Sequence, residues 1–216
     1  MTDTELKVHV QNALDWEPSV DASDIGLSVD ESVVTLRGNV ASYAEKMAAE
    51  RVALRVYGVK AVANDLAVHI GNLFQRNDTE IAHAAVAALK WNAVVPNDKI
   101  TVTVANGWLT LKGTVDWQYQ RDAAFRTVRD LTGVKGVTNS VTLKTHVKSI
   151  DVRDKIETAF KRSAEVDARR VNVTALDGKV ILSGNVHSWF ERQEAERAAW
   201  AAPGVTQVED RLSITP

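Results

Sequence analysis

Two kinds of hydrophobic spacing alternate along the chain, and the alternation occurs three times. Apolar residues first recur three or four positions apart: Leu6, Val10, Ala13 and Leu14; Ile81, Ala85, Ala88 and Leu89; Val152, Ile156, Ala159 and Phe160. That spacing puts them on one face of a helix. Runs that alternate every second residue follow, opening with Ile25-Gly26-Leu27, Ile100-Thr101-Val102 and Val171-Asn172-Val173, and each folds back on a second run as a hairpin. Two of the hairpins have Asn106-Gly107 and Asp177-Gly178 at the bend, residues that accept the positive φ of a tight turn, whereas the first has Glu31-Ser32. Ala/Glu/Arg-rich stretches at Ser42 to Tyr57, Trp117 to Thr132 and Ser188 to Pro203 predict a second helix, with Ser42 and Ser188 as caps. The closing runs, Val62 to Val68, Val137 to Leu143 and Val208 to Ile214, are rich in β-branched residues and predict a last strand.

The fold class is therefore α+β: three tandem α-β-β-α-β units, each a small three-stranded mixed sheet with two helices packed on one face. Six glycines hold the units in register, as Gly38/Gly58, Gly113/Gly133 and Gly184/Gly204, each pair 20 residues apart. Agreement over such a length marks a triplication, and the units are taken as 1–70, 71–147 and 148–216. Parity along the second strand of each hairpin separates Val34, Leu36 and Val40, with their counterparts, from Thr35, Arg37, Thr110 and Lys112. One sheet face is covered by helices and the other is open to water or a partner.

Composition narrows the chemistry. The 216 residues include no cysteine, so thiolate metal sites, thiol nucleophiles and disulfides are excluded. Five histidines show no His-x-x-x-His pairing, and no phosphate loop, dinucleotide fingerprint or nucleophile elbow occurs. The expectation is a protein without enzymatic activity or cofactor. An isoelectric point near 6.2 argues against nucleic acid as a partner. No apolar run is long enough to span a bilayer, and the Met1 end lacks the pattern of an export signal, so a cytoplasmic location is expected. Charge is uneven: residues 1–70 carry 6 basic and 11 acidic side chains, residues 71–147 carry 9 and 6. The second unit is the one best suited to an anionic surface.

Candidate contact residues come from positions that recur. The second helices repeat Lys46/Arg121/Arg192 and Arg51/Arg126/Arg197, which suit anionic headgroups; the alternative is pairing with acids such as Glu45, Glu50 and Glu194 on the same helix. Trp16 and Trp91 follow the first helix at matched positions, as interface anchors or as lids closing the end of the core. Trp108 falls by parity on the open face beside Lys112, exposed to a partner or buried between adjacent units. Asp15, Glu17, Asp21, Asp24, Asp30 and Glu31 gather around the first hairpin; a potassium or calcium site is conceivable there, but the spacing matches no EF-hand loop, and capping and solvation account for it more simply. No metal site is assigned.

The pattern of Leu-x-Gly-x-Val closing the hairpin and Gly-Val-x-x-Val-x-Asn-x-Leu entering the last strand, best seen at Leu36–Val40 and Gly58–Leu66, resembles the BON domain (bacterial OsmY and nodulation). The third unit departs from it, with Arg162 in place of Trp and Asp210 in place of Asn. The resemblance implies association with phospholipid or hydrophobic ligands, a role in osmotic or envelope stress, and no catalytic residues. On this basis the expected function is weak, multivalent binding to an anionic phospholipid surface or a protein partner. The alternatives are a potassium or other cation sensor, and a chaperone-like scaffold using Trp108 and Lys112.

Overall fold

A computed structural model describes residues 1–144, 152–162 and 169–215. The linker residues 145–150, with His146, and Asp151 lie outside the described residues. The chain divides into two compact units, Met1–Leu143 and Lys144–Pro216, the first holding two repeats and the second one.

Each repeat has the order read from the spacing. The first comprises α1 (Asp3–Asp15), β1 (Ile25–Asp30), β2 (Val33–Val40), α2 (Tyr43–Arg55) and β3 (Ala61–Val68). The second comprises α3 (Asp78–Trp91), β4 (Ile100–Ala105), β5 (Trp108–Val115), α4 (Gln118–Arg129) and β6 (Gly136–Leu143). The third comprises α5 (Val152–Arg162), β7 (Val171–Leu176), β8 (Lys179–Val186), α6 (Trp189–Trp200) and β9 (Gln207–Ile214). In every sheet the middle strand is the second of the hairpin, antiparallel to the first strand and parallel to the last. The parallel pairing follows from chain length: returning to the same edge direction needs a crossover, and the second helix supplies it.

Burial follows strand parity. Val34, Leu36 and Val40 are buried with Leu6, Val10 and Leu14 of α1 and with small residues of α2, Ala49 and Ala53 among them, which let that helix approach the sheet closely. The second and third repeats build equivalent cores around Leu109, Leu111 and Val115 and around Val180, Leu182 and Val186. The second helices are shorter than their sequence pattern predicts. They stop at Arg55, Arg129 and Trp200, two or more residues before the predicted ends, because Gly58, Gly133 and Gly204 turn the chain with φ of 95°, 91° and 88° only after an intervening bend.

The other three register glycines have a harder constraint. Gly38, Gly113 and Gly184 have φ of 122°, 144° and 118°, and a methyl group on them would lie 1.9–2.0 Å from the carbonyl oxygens of Asp24, Lys99 and Arg170. No side chain fits, so Leu-x-Gly-x-Val is imposed by the hairpin itself.

The first hairpin turns on Glu31 and Ser32 at φ of 48° and 66°, a conformation disfavoured for both residues. The carboxylate of Asp3 holds it by accepting the amides of Glu31 at 2.9 Å and Ser32 at 3.0 Å. Asp78 does the same for Asn106 and Gly107, both at 2.8 Å, where the turn residues already favour the bend.

Candidate functional site

The first helix of each of the first two repeats ends in a tryptophan that the core does not take in. Trp16 caps α1, its amide donating to the Asn12 carbonyl at 3.1 Å, and Trp91 is the last residue of α3. Both are 88% exposed. The alternative expected from the sequence, a lid over the end of the core, is not what these rings do. The chain turns immediately after them, and Val20 and Val95, both buried, close the core instead.

A cationic side chain, Arg55, stands near the first ring. Beside Trp16 lies a shallow hollow of about 270 Å³ formed with Ala13, Val52, Arg55 and Val56. Glu17 borders it, and the hydroxyl and amide of Ser19 hold its carboxyl below the usual range, helped by the charges of Arg51 and Arg55. In the second repeat Asn92, next to Trp91, donates to the Thr127 hydroxyl at 2.8 Å and so ties the tryptophan end of α3 to α4 one residue beyond Arg126. Arg51 and Arg126 are exposed and form no direct ion pair among the described residues, although the charge of Arg51 acts on Glu17 and that of Arg126 acts on Asp122, where it partly offsets the burial that pushes that carboxyl up. The acids expected to pair with Arg51 are used elsewhere: Glu45 accepts the amides of Asp21 and Ala41, both at 2.8 Å, and Glu50 accepts the Asn64 side chain at 2.9 Å.

The other recurrent cations have structural partners. Lys46 Nζ donates to the Leu66 carbonyl at 2.7 Å, part-buried. Arg192 Nε donates to Asp210 at 2.5 Å and its guanidinium lies 4.6 Å from the centre of the Trp189 ring. Arg197 pairs with Glu194. Arg121 is half-buried, and its main-chain carbonyl accepts the Asn139 side chain at 3.1 Å. The six basic positions thus separate into Arg51 and Arg126, which are available to a ligand, and four that are not equally so.

Trp108 and Lys112 lie on the open face of the second sheet, away from the helices that carry Trp91 and Arg126. Trp108 is 51% exposed and is not buried between units. Its ring lies across Gly136, and its Nε1 donates to the Thr138 hydroxyl at 2.8 Å.

One contact carried no sequence signal. Tyr43, at the start of α2, packs against the core of the second repeat, where its phenol oxygen meets the backbone of Val137. Burial pushes the phenol up, partly offset by that backbone contact. Ile70, Phe74, Leu131 and Val134 line a hollow of about 270 Å³ beside it. At the corresponding places stand Gln118 and Trp189, so neither repetition nor periodicity marks this position as a seam.

Part of the acidic group around the first hairpin is used locally, Asp15 accepting the Gln11 side chain at 2.9 Å. Glu17 takes the Ser19 hydroxyl and Asp21 the Ser23 hydroxyl, both at 2.6 Å. Among the described residues no three His, Asp or Glu side chains converge as a metal site, and no helix is long and apolar enough to cross a membrane.

Comparison with known proteins places this architecture. Residues 2–69, 77–145 and 151–216 each match the family model described as the BON domain. The chain belongs to the BON domain family. Its three BON domains account for nearly the whole length and for the three sheets. Osmotically-inducible protein Y of Escherichia coli (strain K12) is 32% identical over 150 residues, covering 67% of this BON protein and 74% of that relative. Among solved structures, CdsD, a structural protein of the type III secretion system of Chlamydia trachomatis, is 14% identical with a TM-score of 0.27, covering 98% of this chain and 93% of the other. The C-terminal domain of CdsD gives 13%, 0.28 and full coverage of both chains. At these scores the two structures carry no argument about function.

Proposed function

We propose that this BON protein is a non-enzymatic, peripheral binder of anionic phospholipid surfaces, working in osmotic stress through several weak contacts on one chain. The observation that supports the reading is the pair of equivalent tryptophans, Trp16 and Trp91, each 88% exposed, with an exposed arginine on the adjacent helix that makes no direct ion pair among the described residues. An indole settles at the boundary of headgroups and acyl chains, and an arginine on the neighbouring helix adds attraction to an anionic surface of about 1 kcal/mol. Two such ends on one chain act together because the second contact forms at high effective concentration. The link to osmotic stress is supported by the likeness to osmotically-inducible protein Y.

Co-sedimentation with vesicles of neutral and of anionic phospholipid tests this. Binding is expected to anionic vesicles only, to weaken with salt, and to be lost when Trp16→Ala and Trp91→Ala are combined. Binding that survives the double substitution, or no binding to anionic vesicles at low salt, would refute the reading.

A further inference from the structure

The geometry points to a binding site for an acidic oligosaccharide on the open face of the second sheet, with one pyranose stacked on Trp108 and an anionic group of the same glycan held by Lys112. This site is independent of the tryptophan ends proposed to meet the membrane.

Three observations support it. The first is the presentation of the ring. A methyl group on Gly136 would lie 2.4 Å from Trp108, so glycine is what lets the indole lie down across β6. The bond from Nε1 to Thr138 holds it there while about half its surface remains exposed. A flat, fixed aromatic surface matches the apolar C–H face of a pyranose, and holding the ring in advance removes the cost of ordering it on binding.

The second is what surrounds the ring. The next row across the sheet is Thr103, Thr110 and Thr138, followed by Thr101, Lys112 and Ser140. Among the described residues the side chains of Thr103, Thr110 and Ser140 make no hydrogen bond, which leaves donors and acceptors for sugar hydroxyls in register with the ring. Trp108 and Lys112 are four residues apart on one strand, about 14 Å, the reach of an oligosaccharide rather than a single sugar.

The third is charge, and it separates this face from the other two. On the first sheet Arg37 pairs with Asp65 at 3.6 Å, and on the third Lys179 pairs with Glu209 at 2.6 Å. The strands of the second sheet place no carboxylate on its open face, and among the described residues Lys112 makes no ion pair. A glycan that brings its own carboxylate complements that face, and a neutral one does so less well.

Titrating the whole chain with tetragalacturonate, and with neutral maltotetraose in parallel, tests the assignment by amide chemical shifts and tryptophan fluorescence. Tetragalacturonate is expected to move amides of β4, β5 and β6 selectively and to bind more tightly than maltotetraose. Trp108→Val, which installs the residue that the first repeat carries at this place and so keeps the fold, is expected to weaken binding at least about tenfold. Lys112→Ser is expected to weaken the acidic oligomer by about fivefold and leave the neutral one unchanged. Trp16→Ala is expected to change neither. No shifts on this face at millimolar sugar, full binding by Trp108→Val, equal affinity for both oligomers, or anionic vesicles perturbing these amides while sugar does not would each overturn the proposal.

Discussion

The first and third repeats join the last strand to the second helix by different chemistry in the same place. In the first, Asn64 donates to the Lys46 carbonyl at 3.1 Å while its own oxygen accepts the Leu66 amide at 3.3 Å. The second repeat copies this with Asn139, Arg121 and Val141. In the third, Asp210 accepts the Leu212 amide at 2.8 Å, keeping that half of the arrangement, but reaches the helix through an ion pair with the Arg192 side chain. An aspartate has no N–H to donate, so the helix must supply the proton, and a guanidinium does. The second repeat already has an arginine, Arg121, at the helix position beside its Asn139, so the strand residue alone differs there: with Asp210 in place of Asn139 the arginine side chain, rather than its carbonyl, makes the connection.

Breaking what the repeats share has the largest expected effect. Gly113→Ala meets a carbonyl at 2.0 Å in a backbone conformation closed to alanine, and is expected to cost about 3 kcal/mol or more, measured by chemical denaturation. The connections come next. Asp210→Ala leaves Arg192 part-buried without its carboxylate and removes the acceptor for Leu212, an expected loss of about 2 kcal/mol, whereas Asn139→Ala is expected to cost about 1 kcal/mol. Combining Arg192→Lys with Asp210→Asn installs the residues of the first repeat and is expected to recover most of the Asp210→Ala loss. Failure to recover would show that the two connections are not equivalent.

The hairpins allow a finer comparison. Glu31→Asn with Ser32→Gly gives the first turn the Asn-Gly residues of the second and is expected to stabilise by about 1 kcal/mol, read as a higher melting temperature. The smallest effect expected is that of acid. Hydrogen bonds from the side chains of Lys179 and then Arg211 hold Glu209 below the usual carboxylate range, and bonds from the hydroxyl and amide of Ser23 do the same for Asp21. A lowered folded-state value contributes stability above the unfolded value that is lost as pH falls through the folded one. Melting temperature is therefore expected to be level near neutrality and to decline below about pH 4. Carboxyl chemical shifts assign the titration: midpoints for Asp21 and Glu209 in the ordinary range would contradict the bonds described.

Element order, the three-fold repeat, the covered sheet face and the glycine register were all legible in the sequence, because each leaves a periodic or spaced signature along the chain. Helix and strand periods are local properties of the backbone, and Gly38, Gly113 and Gly184 recur because a carbonyl excludes any side chain at each. What a side chain does at the surface is not periodic. Lys46 and Arg51 both carry a positive charge, but only the fold shows Lys46 turned to the Leu66 carbonyl and Arg51 left in solvent. Trp16 and Val20 compete for the end of one core, and the turn between them decides for valine. Tyr43 reaches the next repeat because the first two pack together, and the exposed ring of Trp108 depends on a glycine one strand away. The amino-acid sequence thus determines which segments form the units, since local spacing encodes them. Tertiary structure alone decides which cations and rings remain available to a ligand, since that depends on residues distant in the chain competing for the same space.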